Sequence, residues 1–152
     1  KGYSSKFIDL SAEINEERIN KIFNFIISYL FKNNYEKNKI KFLILGVAYK
    51  KNTNDCRESP ALKLIDLLNK NKINYDFYDP YVKELNYFRM YGNINKKSIK
   101  NLDKINKYTC SLILTDHDLI DYKFILKNSN LVFDTRGVYY LNKSKKLIDF
   151  FF

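Results

Sequence analysis

The sequence alternates short apolar runs with stretches whose apolar residues recur at helical spacing. Four runs are typical of strands: IKFLILGVAY, INYDFYDP, CSLILTDHD and NLVFDTRG. Two of the segments between them, SPALKLIDLLNKN and LIDYKFILKN, have the spacing of amphipathic helices. Because parallel strands need a crossover between them, usually a helix, this alternation favours a parallel sheet with helices on both faces. The sequence therefore predicts an α/β fold.

The segment before the first strand predicts a longer helix. Its apolar residues fall on one helical face over several turns: Ile19, Ile22, Phe23, Ile26, Ile27 and Leu30. The polar stretch KNNYEKNK ends this pattern and predicts a boundary at residues 33–39. Ser59 and Pro60 predict the N-cap and the first position of the next helix.

Three other segments have weaker patterns. Residues 81–97 are mixed in character and are interpreted as a loop with a short helix. The segment SIKNLDKINKY is interpreted as an amphipathic helix. The tail KKLIDFFF is apolar, and its pattern assigns it no structure.

Polar side chains follow each predicted strand, and ligands of such sheets bind outside the carboxyl ends of the strands. These residues are Lys50 and Arg57, then Asp79, then Asp116 and His117, then Asp134 and Arg136. The loop after the first strand carries charges of both signs, which suits a polar ligand and ion pairs within the loop. A solvated turn at Lys50 and Lys51, and structural ion pairs at Arg57 and Arg136, are the alternatives.

Composition narrows the class of protein. Hydrophobic residues make up 45% of the chain and aromatic residues 16%, which argues against disorder. The formal net charge is +10, from 27 basic and 17 acidic residues. The lysines are scattered, and arginine occurs only at Arg18, Arg57, Arg89 and Arg136, whereas nucleic-acid binders concentrate their positive charge. We therefore predict no nucleic-acid partner, with a basic nucleic-acid-binding α/β domain as a rival interpretation.

Cysteine content and hydropathy indicate the compartment. Two cysteines, Cys56 and Cys110, do not make a disulfide framework and favour a reduced cytoplasmic protein. No apolar run approaches the roughly 18 residues of a membrane span, so no membrane partner is predicted. The first residue is Lys1 rather than Met, and no signal peptide follows, so a fragment of a longer protein is expected.

The sequence lacks the motifs of several kinds of binding site and catalytic site. The chain has no G-x-G-x-x-G and no P-loop. His117 lies between Asp116 and Asp118, but neighbours on a strand point to opposite faces, so a structural histidine is favoured and no metal site is predicted. Cys110 is expected in the core. Cys56 lies among charges, where a reactive thiol is conceivable, yet no histidine is near it in sequence, so it is not assigned a catalytic role.

Four ordered motifs resemble one known family. The segments ILGVAYKKNTNDCRESPALKLIDLL, YDPYV, LILTDHD and VFDTRGV closely resemble the C-terminal domain of the UDP-glucose/GDP-mannose dehydrogenase family. They look most like its bacterial UDP-N-acetylglucosamine and UDP-N-acetylmannosamine 6-dehydrogenases. The resemblance covers residues 6 to about 140 and implies a Rossmann-like three-layer sandwich with a parallel sheet.

The resemblance also implies a function. Such enzymes oxidise the C6 hydroxyl of a nucleotide sugar to a carboxylate with NAD, and the products enter capsule or O-antigen polysaccharides. By the family motifs, Tyr49, Lys50 and Arg136 would contact the UDP-sugar, and Arg57 would reach the NAD. NAD itself would be bound mainly by a domain that this chain lacks. The family's catalytic cysteine motif, G-G-x-C, is also missing, so the chain alone is predicted to be inactive, with no catalytic residue.

The resemblance divides the chain into two parts. Residues 1–38 resemble the end of a central helical dimerisation region, and residues 39–152 a C-terminal UDP-sugar-binding domain. A homodimer or higher homo-oligomer through the N-terminal helix is therefore expected. A free-standing, non-catalytic nucleotide-binding module is the alternative.

Overall fold

The computed structural model describes residues 6–149, with side chains described for residues 17–148. Its helices are α1 (Lys6–Lys32), α2 (Pro60–Lys70) and α3 (Tyr122–Asn128). Its strands are β1 (Lys41–Leu45), β2 (Asn74–Tyr78), β3 (Glu84–Phe88), β4 (Gly92–Lys97), β5 (Cys110–Ile113), β6 (Val132–Asp134) and β7 (Leu147–Asp149). Single 3₁₀ turns lie at Lys37–Lys39 and Ile105–Lys107.

Five strands form one parallel sheet in the order β2-β1-β5-β6-β7. Alternate residues of β1 enter two separate cores, because side chains along a strand point to opposite faces. Phe42 and Ile44 join the core that also contains buried residues of α1 and α2. Leu43 and Leu45 join the core on the other face, beneath α3 and the 3₁₀ turn at Ile105–Lys107. The predicted α/β sandwich is confirmed.

The two predicted features at the start of α2 are confirmed. Pro60 is the first helical residue, and the side chain of Ser59 accepts a hydrogen bond from the backbone N–H of Ala61 at 3.2 Å. This cap directs α2 away from the carboxyl end of β1 and leaves the preceding loop at the edge of the sheet. Helix α1 packs on the same face, with Ile26 and Leu30 buried in the same core.

The interpretation of residues 81–97 as a loop with a short helix was wrong. Strands β3 and β4 form an antiparallel hairpin there, with a register shift between Leu85 and Tyr87. Ile94 and Phe88 pack against the core that also contains α2. The shift interrupts the period-two alternation that would have indicated a strand.

The helix predicted over SIKNLDKINKY was also wrong, because this segment contains a single 3₁₀ turn at Ile105–Lys107. The side chain of Asn101 accepts a hydrogen bond from the backbone N–H of Asp103 at 3.3 Å, which offers the backbone an alternative to a helix. The i, i+3 spacing of Leu102 and Ile105 also fits a 3₁₀ turn, since its side chains repeat every three residues.

The tail, which the sequence left unassigned, adds the edge strand β7, whose residue Leu147 pairs with Val132 of β6. The final residues 150–152 lie outside the described residues. None of the helices in the described part of the chain combines the length and apolar character that a membrane crossing requires.

Gly46 follows β1 directly and fixes the start of the charged loop. Its φ of +77° lies in the left-handed region, and a Cβ atom added here would collide with the backbone carbonyl of Thr115. Its N–H donates to the carbonyl of Tyr78 at 3.0 Å. A glycine is therefore required where three strand ends approach one another.

We expect Gly46→Ala to lower the free energy of unfolding far more than Gly92→Ala does. Both glycines have φ near +70°, so both substitutions carry a left-handed backbone cost of about 1–2 kcal/mol. A Cβ at Gly92 meets nothing within 4 Å, whereas one at Gly46 must displace backbone, at a further cost of about 1–3 kcal/mol. Urea denaturation of both variants measures the difference, and equal losses would contradict the close approach.

Candidate functional site

A buried carboxylate, that of Asp79, holds together the carboxyl ends of the strands. Its Oδ2 accepts hydrogen bonds from the backbone N–H groups of Val47 at 2.7 Å and Ala48 at 3.2 Å. Its Oδ1 accepts from the N–H groups of Tyr81 at 2.8 Å and Val82 at 3.1 Å. Asp79 therefore fixes the first residues of the charged loop to the turn after β2.

His117 joins this cluster from the segment after β5. Its Nε2 lies 3.0 Å from Oδ2 of Asp79, and its Nδ1 accepts a hydrogen bond from the backbone N–H of Asn52 at 2.9 Å. Because Nδ1 accepts, the hydrogen bonds assign the proton to Nε2, which donates to the carboxylate. Both side chains are 0% exposed. The predicted structural role of His117 is confirmed.

The environment keeps Asp79 ionised. Burial alone would raise the pKa of its carboxyl, but the hydrogen bonds from His117 and from the N–H groups of Val47 and Tyr81 outweigh it and lower the pKa. A buried carboxylate that accepts several hydrogen bonds is stable as the charged form.

The same loops are joined a second time at the surface. The side-chain amide of Asn52 donates to Asp118 at 2.7 Å, and its Oδ1 accepts from the N–H of Asp118 at 3.0 Å. Nζ of Lys51 lies 2.6 Å from the other oxygen of Asp118. The Lys51 ammonium, followed by the Asn52 amide, lowers the pKa of Asp118. The charge of Lys51 is thus paired within the protein.

The loop between β1 and α2 borders a cavity of about 490 Å³. The N–H of Tyr49 donates to the carbonyl of Asp55 at 2.7 Å, and Oγ1 of Thr53 donates to the carbonyl of Lys50 at 3.0 Å. These bonds close the loop on itself. The lining residues are Tyr49, Lys50, Thr53, Asp55, Arg57 and Glu58. The structure thus brings together three of the four residues predicted to bind ligands.

Arg57 forms a fork with Asp55 in the same loop. Its Nε and Nη2 donate to the two carboxylate oxygens at 3.0 and 2.8 Å, and its backbone N–H donates to Oδ1 at 2.9 Å. The Arg57 side chain and then its backbone N–H lower the pKa of Asp55 to about 2. Arg57 therefore forms the structural ion pair that was the alternative to a ligand role. Its side chain nevertheless remains 85% exposed at the cavity.

Lys50 differs from the two other cations of this loop. Within the part of the chain that the structure describes, no carboxylate lies within ion-pair distance of Lys50, whereas Lys51 contacts Asp118 and Arg57 contacts Asp55. Its Nζ lies 5.9 Å from the centroid of the Tyr49 ring, which is half exposed. Lys50 and Tyr49 therefore present a cation beside an aromatic face.

Arg136 lies at the same edge of the sheet but not in the lining of the cavity. Its strand, β6, is separated from β1 by β5. Its Nε donates to Oδ1 of Asp116 at 3.0 Å, and its backbone N–H donates to Asp134 at 2.9 Å. Arg136 thus forms the ion pair that was the alternative to a ligand role, and its partner Asp116 lies after the neighbouring strand β5.

The two cysteines are both buried. Burial, with smaller contributions from Asp79 and Asp55, raises the pKa of Cys56 to about 12. A thiol with so high a pKa is protonated near neutral pH, which opposes the reactive role considered from sequence. Cys110 lies in the core, as predicted. Among the described side chains, no group of three His, Cys, Asp or Glu could hold a metal ion.

Sequence reasoning assigned no binding role to three lining residues and missed the partner of Arg136. Thr53, Asp55 and Glu58 border the cavity, and Asp116 binds Arg136. The density of charges after Gly46 was the signal for the lining residues. The contact between Asp116 and Arg136 had no local signal, because it forms only when β5 and β6 pair.

A family model matches most of the chain. Residues 43–140 match the UDP binding domain of the UDP-glucose/GDP-mannose dehydrogenase family. A curated relative, the UDP-N-acetyl-D-mannosamine dehydrogenase of Methanococcus vannielii, is 34% identical over an alignment of 152 positions that covers 94% of this chain and 33% of the relative. The resemblance inferred from the four motifs is confirmed.

Solved structures of the same kind share the fold. A UDP-D-ManNAc dehydrogenase from Pyrococcus horikoshii is 25% identical with a TM-score of 0.67, over 90% of this chain and 31% of that one. The UDP-N-acetyl-mannosamine dehydrogenase Cap5O from Staphylococcus aureus is 25% identical with a TM-score of 0.66, over 97% and 34%. This chain spans about a third of the length of these three relatives.

We expect Asp79→Asn to destabilise the fold by about 2–6 kcal/mol, since it leaves at least two buried backbone N–H groups without an acceptor, at about 1–3 kcal/mol each. Asparagine has one acceptor oxygen, so in either orientation its NH₂ group faces backbone donors that the carboxylate satisfied. Asp66→Asn is the matched control: it removes one carboxylate from an i, i+4 pair with Lys70, worth about 0.3–0.5 kcal/mol. Chemical denaturation at neutral pH compares the two.

The pH dependence gives a second measurement for Asp79. Its folded-state pKa lies below the ordinary value of 3.8, so its contribution is complete above that value and is lost as pH falls through the folded pKa. The wild type should therefore lose more stability between pH 5 and pH 2 than Asp79→Asn does. Parallel pH profiles would contradict the assignment of Asp79 as the buried anion.

Proposed function

This chain belongs to the UDP-glucose/GDP-mannose dehydrogenase family, and from that membership we propose that it forms the UDP-binding part of an NAD-dependent nucleotide-sugar 6-dehydrogenase. The whole enzyme would oxidise the C6 hydroxyl of a UDP-N-acetylhexosamine, or of UDP-glucose, to a carboxylate. The product would serve the synthesis of surface polysaccharides. The names of the relatives, several of which are UDP-N-acetyl-D-mannosamine dehydrogenases, favour the N-acetylhexosamine.

The observation that supports the proposal best is the unpaired charge of Lys50 among the described residues. Its ammonium has no carboxylate partner among the described residues and lies at the rim of a cavity within the matched residues, so it is available to a phosphate group. Hydrogen bonds between a charged donor and phosphate are shorter and stronger than neutral ones. The exposed ring of Tyr49 beside it offers a face for a base or sugar. Lys50 and Tyr49 would thus contact the UDP-sugar, together with Arg136 from the end of β6.

Arg57 is assigned to the cofactor. Its guanidinium is exposed at the cavity, and Asp55 holds it from one side through Nε and Nη2. Three N–H bonds of the guanidinium remain for an anionic ligand. NAD would be bound mainly by another domain of the enzyme, with Arg57 reaching it across a cleft. No residue of this chain is assigned to the chemical step.

The remaining expectations from sequence are part of the proposal. Residues 1–38 would belong to a dimerisation region and residues 39–152 to the UDP-sugar-binding domain. Phe31, which is 48% exposed on α1, is available to a second subunit. The cytoplasmic location and the absence of a nucleic-acid partner stay predictions. A steep salt dependence of oligonucleotide binding would favour the nucleic-acid interpretation.

Binding of UDP tests the proposed site. We expect the 152-residue chain to bind UDP and not AMP, and Lys50→Ala to weaken the binding at least about tenfold, the loss of one charged hydrogen bond. Calorimetry measures the affinity, and ligand-observed NMR extends the range to millimolar dissociation constants. Lys37→Ala is the matched control, because Lys37 is exposed before β1, at the opposite end of the strand from Lys50.

Three outcomes of this titration are informative. Loss of UDP binding in Lys50→Ala but not in Lys37→Ala supports the site. Equal loss in both variants would show that net charge alone accounts for the effect, and Lys50 would then not be part of the binding site. If the wild type binds UDP and AMP equally, or binds neither, the UDP-binding function itself is wrong for this chain.

Kinetics separate the cofactor role of Arg57 from a substrate role. In an enzyme that joins this chain to a NAD-binding domain, we expect Arg57→Ala to raise KM for NAD with little change in KM for the UDP-sugar. Arg89→Ala, in the exposed turn of the β3–β4 hairpin, removes the same charge away from the cavity. An effect on the sugar alone would contradict the assignment. A gene that encodes no NAD-binding domain upstream would favour the free-standing nucleotide-binding module.

A further inference from the structure

The backbone of Arg136 is held in place by the last residue of β6. The carboxylate of Asp134 accepts hydrogen bonds from the N–H groups of Arg136, Gly137 and Tyr139, each at 2.9 Å. Oγ1 of Thr135 donates to the carbonyl of Ile113 in the neighbouring strand at 2.7 Å. The starting point of the Arg136 side chain is therefore fixed relative to β5.

The guanidinium of Arg136 is held at one atom only. Its Nε donates to Oδ1 of Asp116 at 3.0 Å, with the two side chains 48% and 28% exposed. Within the described part of the chain, Nη1 and Nη2 donate to no protein acceptor. A guanidinium is planar, so a bond at Nε and a fixed backbone together set the direction of the four remaining N–H bonds.

Arg57 is held differently. Asp55 occupies both Nε and Nη2 of Arg57, along one edge of its guanidinium. Asp116 leaves the terminal pair of Arg136 untouched, and these two nitrogens can bind a phosphate in a bidentate manner. The two arginines therefore differ in which edge they present.

The position of Asp116 is itself determined by its neighbours. Thr115 before it donates through Oγ1 to the carbonyl of Ala48 at 2.6 Å, and His117 after it is buried against Asp79. The backbone on both sides of Asp116 is thus fixed to the loop after β1. A carboxylate on such a segment is a rigid support for a long side chain.

We propose that Asp116 is a positioning residue for nucleotide binding, which orders the Arg136 guanidinium through Nε so that Nη1 and Nη2 face a diphosphate. This inference rests on the proposed UDP-binding function and adds a residue to it. Without Asp116, Arg136 must be ordered at the moment of binding, which costs free energy for each immobilised long side chain.

The sign of the effect separates this role from simple electrostatics. Removing a negative charge near an anion site strengthens anion binding if charge alone matters. If Asp116 positions Arg136, Asp116→Ala weakens UDP binding by about two- to tenfold although it removes a repulsive charge. Asp116→Asn keeps an acceptor oxygen for Nε and should restore binding close to that of the wild type.

The experiment measures UDP affinity by ligand-observed NMR for the wild type, Asp116→Ala, Asp116→Asn, Arg136→Ala and the double variant Asp116→Ala/Arg136→Ala. Asp103→Ala is the matched control, since it removes an exposed carboxylate before β5, at the opposite end of that strand from Asp116. We expect the double variant to bind UDP as weakly as Arg136→Ala alone, because Asp116 acts through Arg136. The Nε–H signal of Arg136 in ¹⁵N-resolved spectra should be sharp in the wild type and Asp116→Asn, and exchange-broadened in Asp116→Ala.

The outcomes distinguish the two levels of the proposal. UDP binding that is unchanged or tighter in Asp116→Ala, or a further loss in the double variant beyond Arg136→Ala, overturns the positioning role while the UDP site stands. A wild type that does not bind UDP overturns the proposed function and this inference with it. Should Asp116→Ala fail to fold, Asp116→Asn provides the test. If Asp116→Asn binds UDP weakly and has lost the Nε–H signal, an acceptor oxygen at this position does not order Arg136, and the inference is wrong.

Discussion

The rest of the structure depends on the need to satisfy one buried charge, the Asp79 carboxylate. Its two oxygens accept four backbone N–H groups and the imidazole of His117. An unpaired carboxylate in this position would cost several kcal/mol, so the loops that donate to it cannot move apart independently. Because the donors come from the segments after β1, β2 and β5, a single side chain holds three strand ends in register. The cavity lies on the outer side of the loop after β1, which Asp79 holds to the other strand ends.

The three consecutive residues Asp116, His117 and Asp118, after β5, each contact a different partner. His117 points inward to Asp79, while Asp116 and Asp118 point outward to cations on either side. This segment is irregular, since β5 ends at Ile113, and its neighbouring side chains turn in different directions, so three consecutive residues serve three separate loops. The three side chains therefore diverge, and each is bound by a different partner.

Much of the fold could be predicted from the sequence, because β1, β5 and β6 are runs of buried residues, β2 alternates in burial, and α2 begins with an unambiguous cap. The hairpin of β3 and β4 was missed because its register shift hides the alternation. The 3₁₀ turn at Ile105–Lys107 was mistaken for a helix because spacing by three fits both. In the site, the charged loop was evident from composition along the chain. The ion pairs of Lys51 in this loop and of Arg136 after β6 were not evident, since their partners lie 67 and 20 residues away.

Charge alone does not select a binding site on this protein. With 27 basic residues and a net charge of +10, an anion meets attraction over most of the surface. Lysines on that surface are flexible, and ordering one on binding costs much of what its charge contributes. Lys50 and Arg136 are different because the backbone beneath each is fixed, through a closed loop in one case and the Asp134 carboxylate in the other. Recognition of a diphosphate at this edge would therefore come from cations whose backbone is fixed before the ligand arrives.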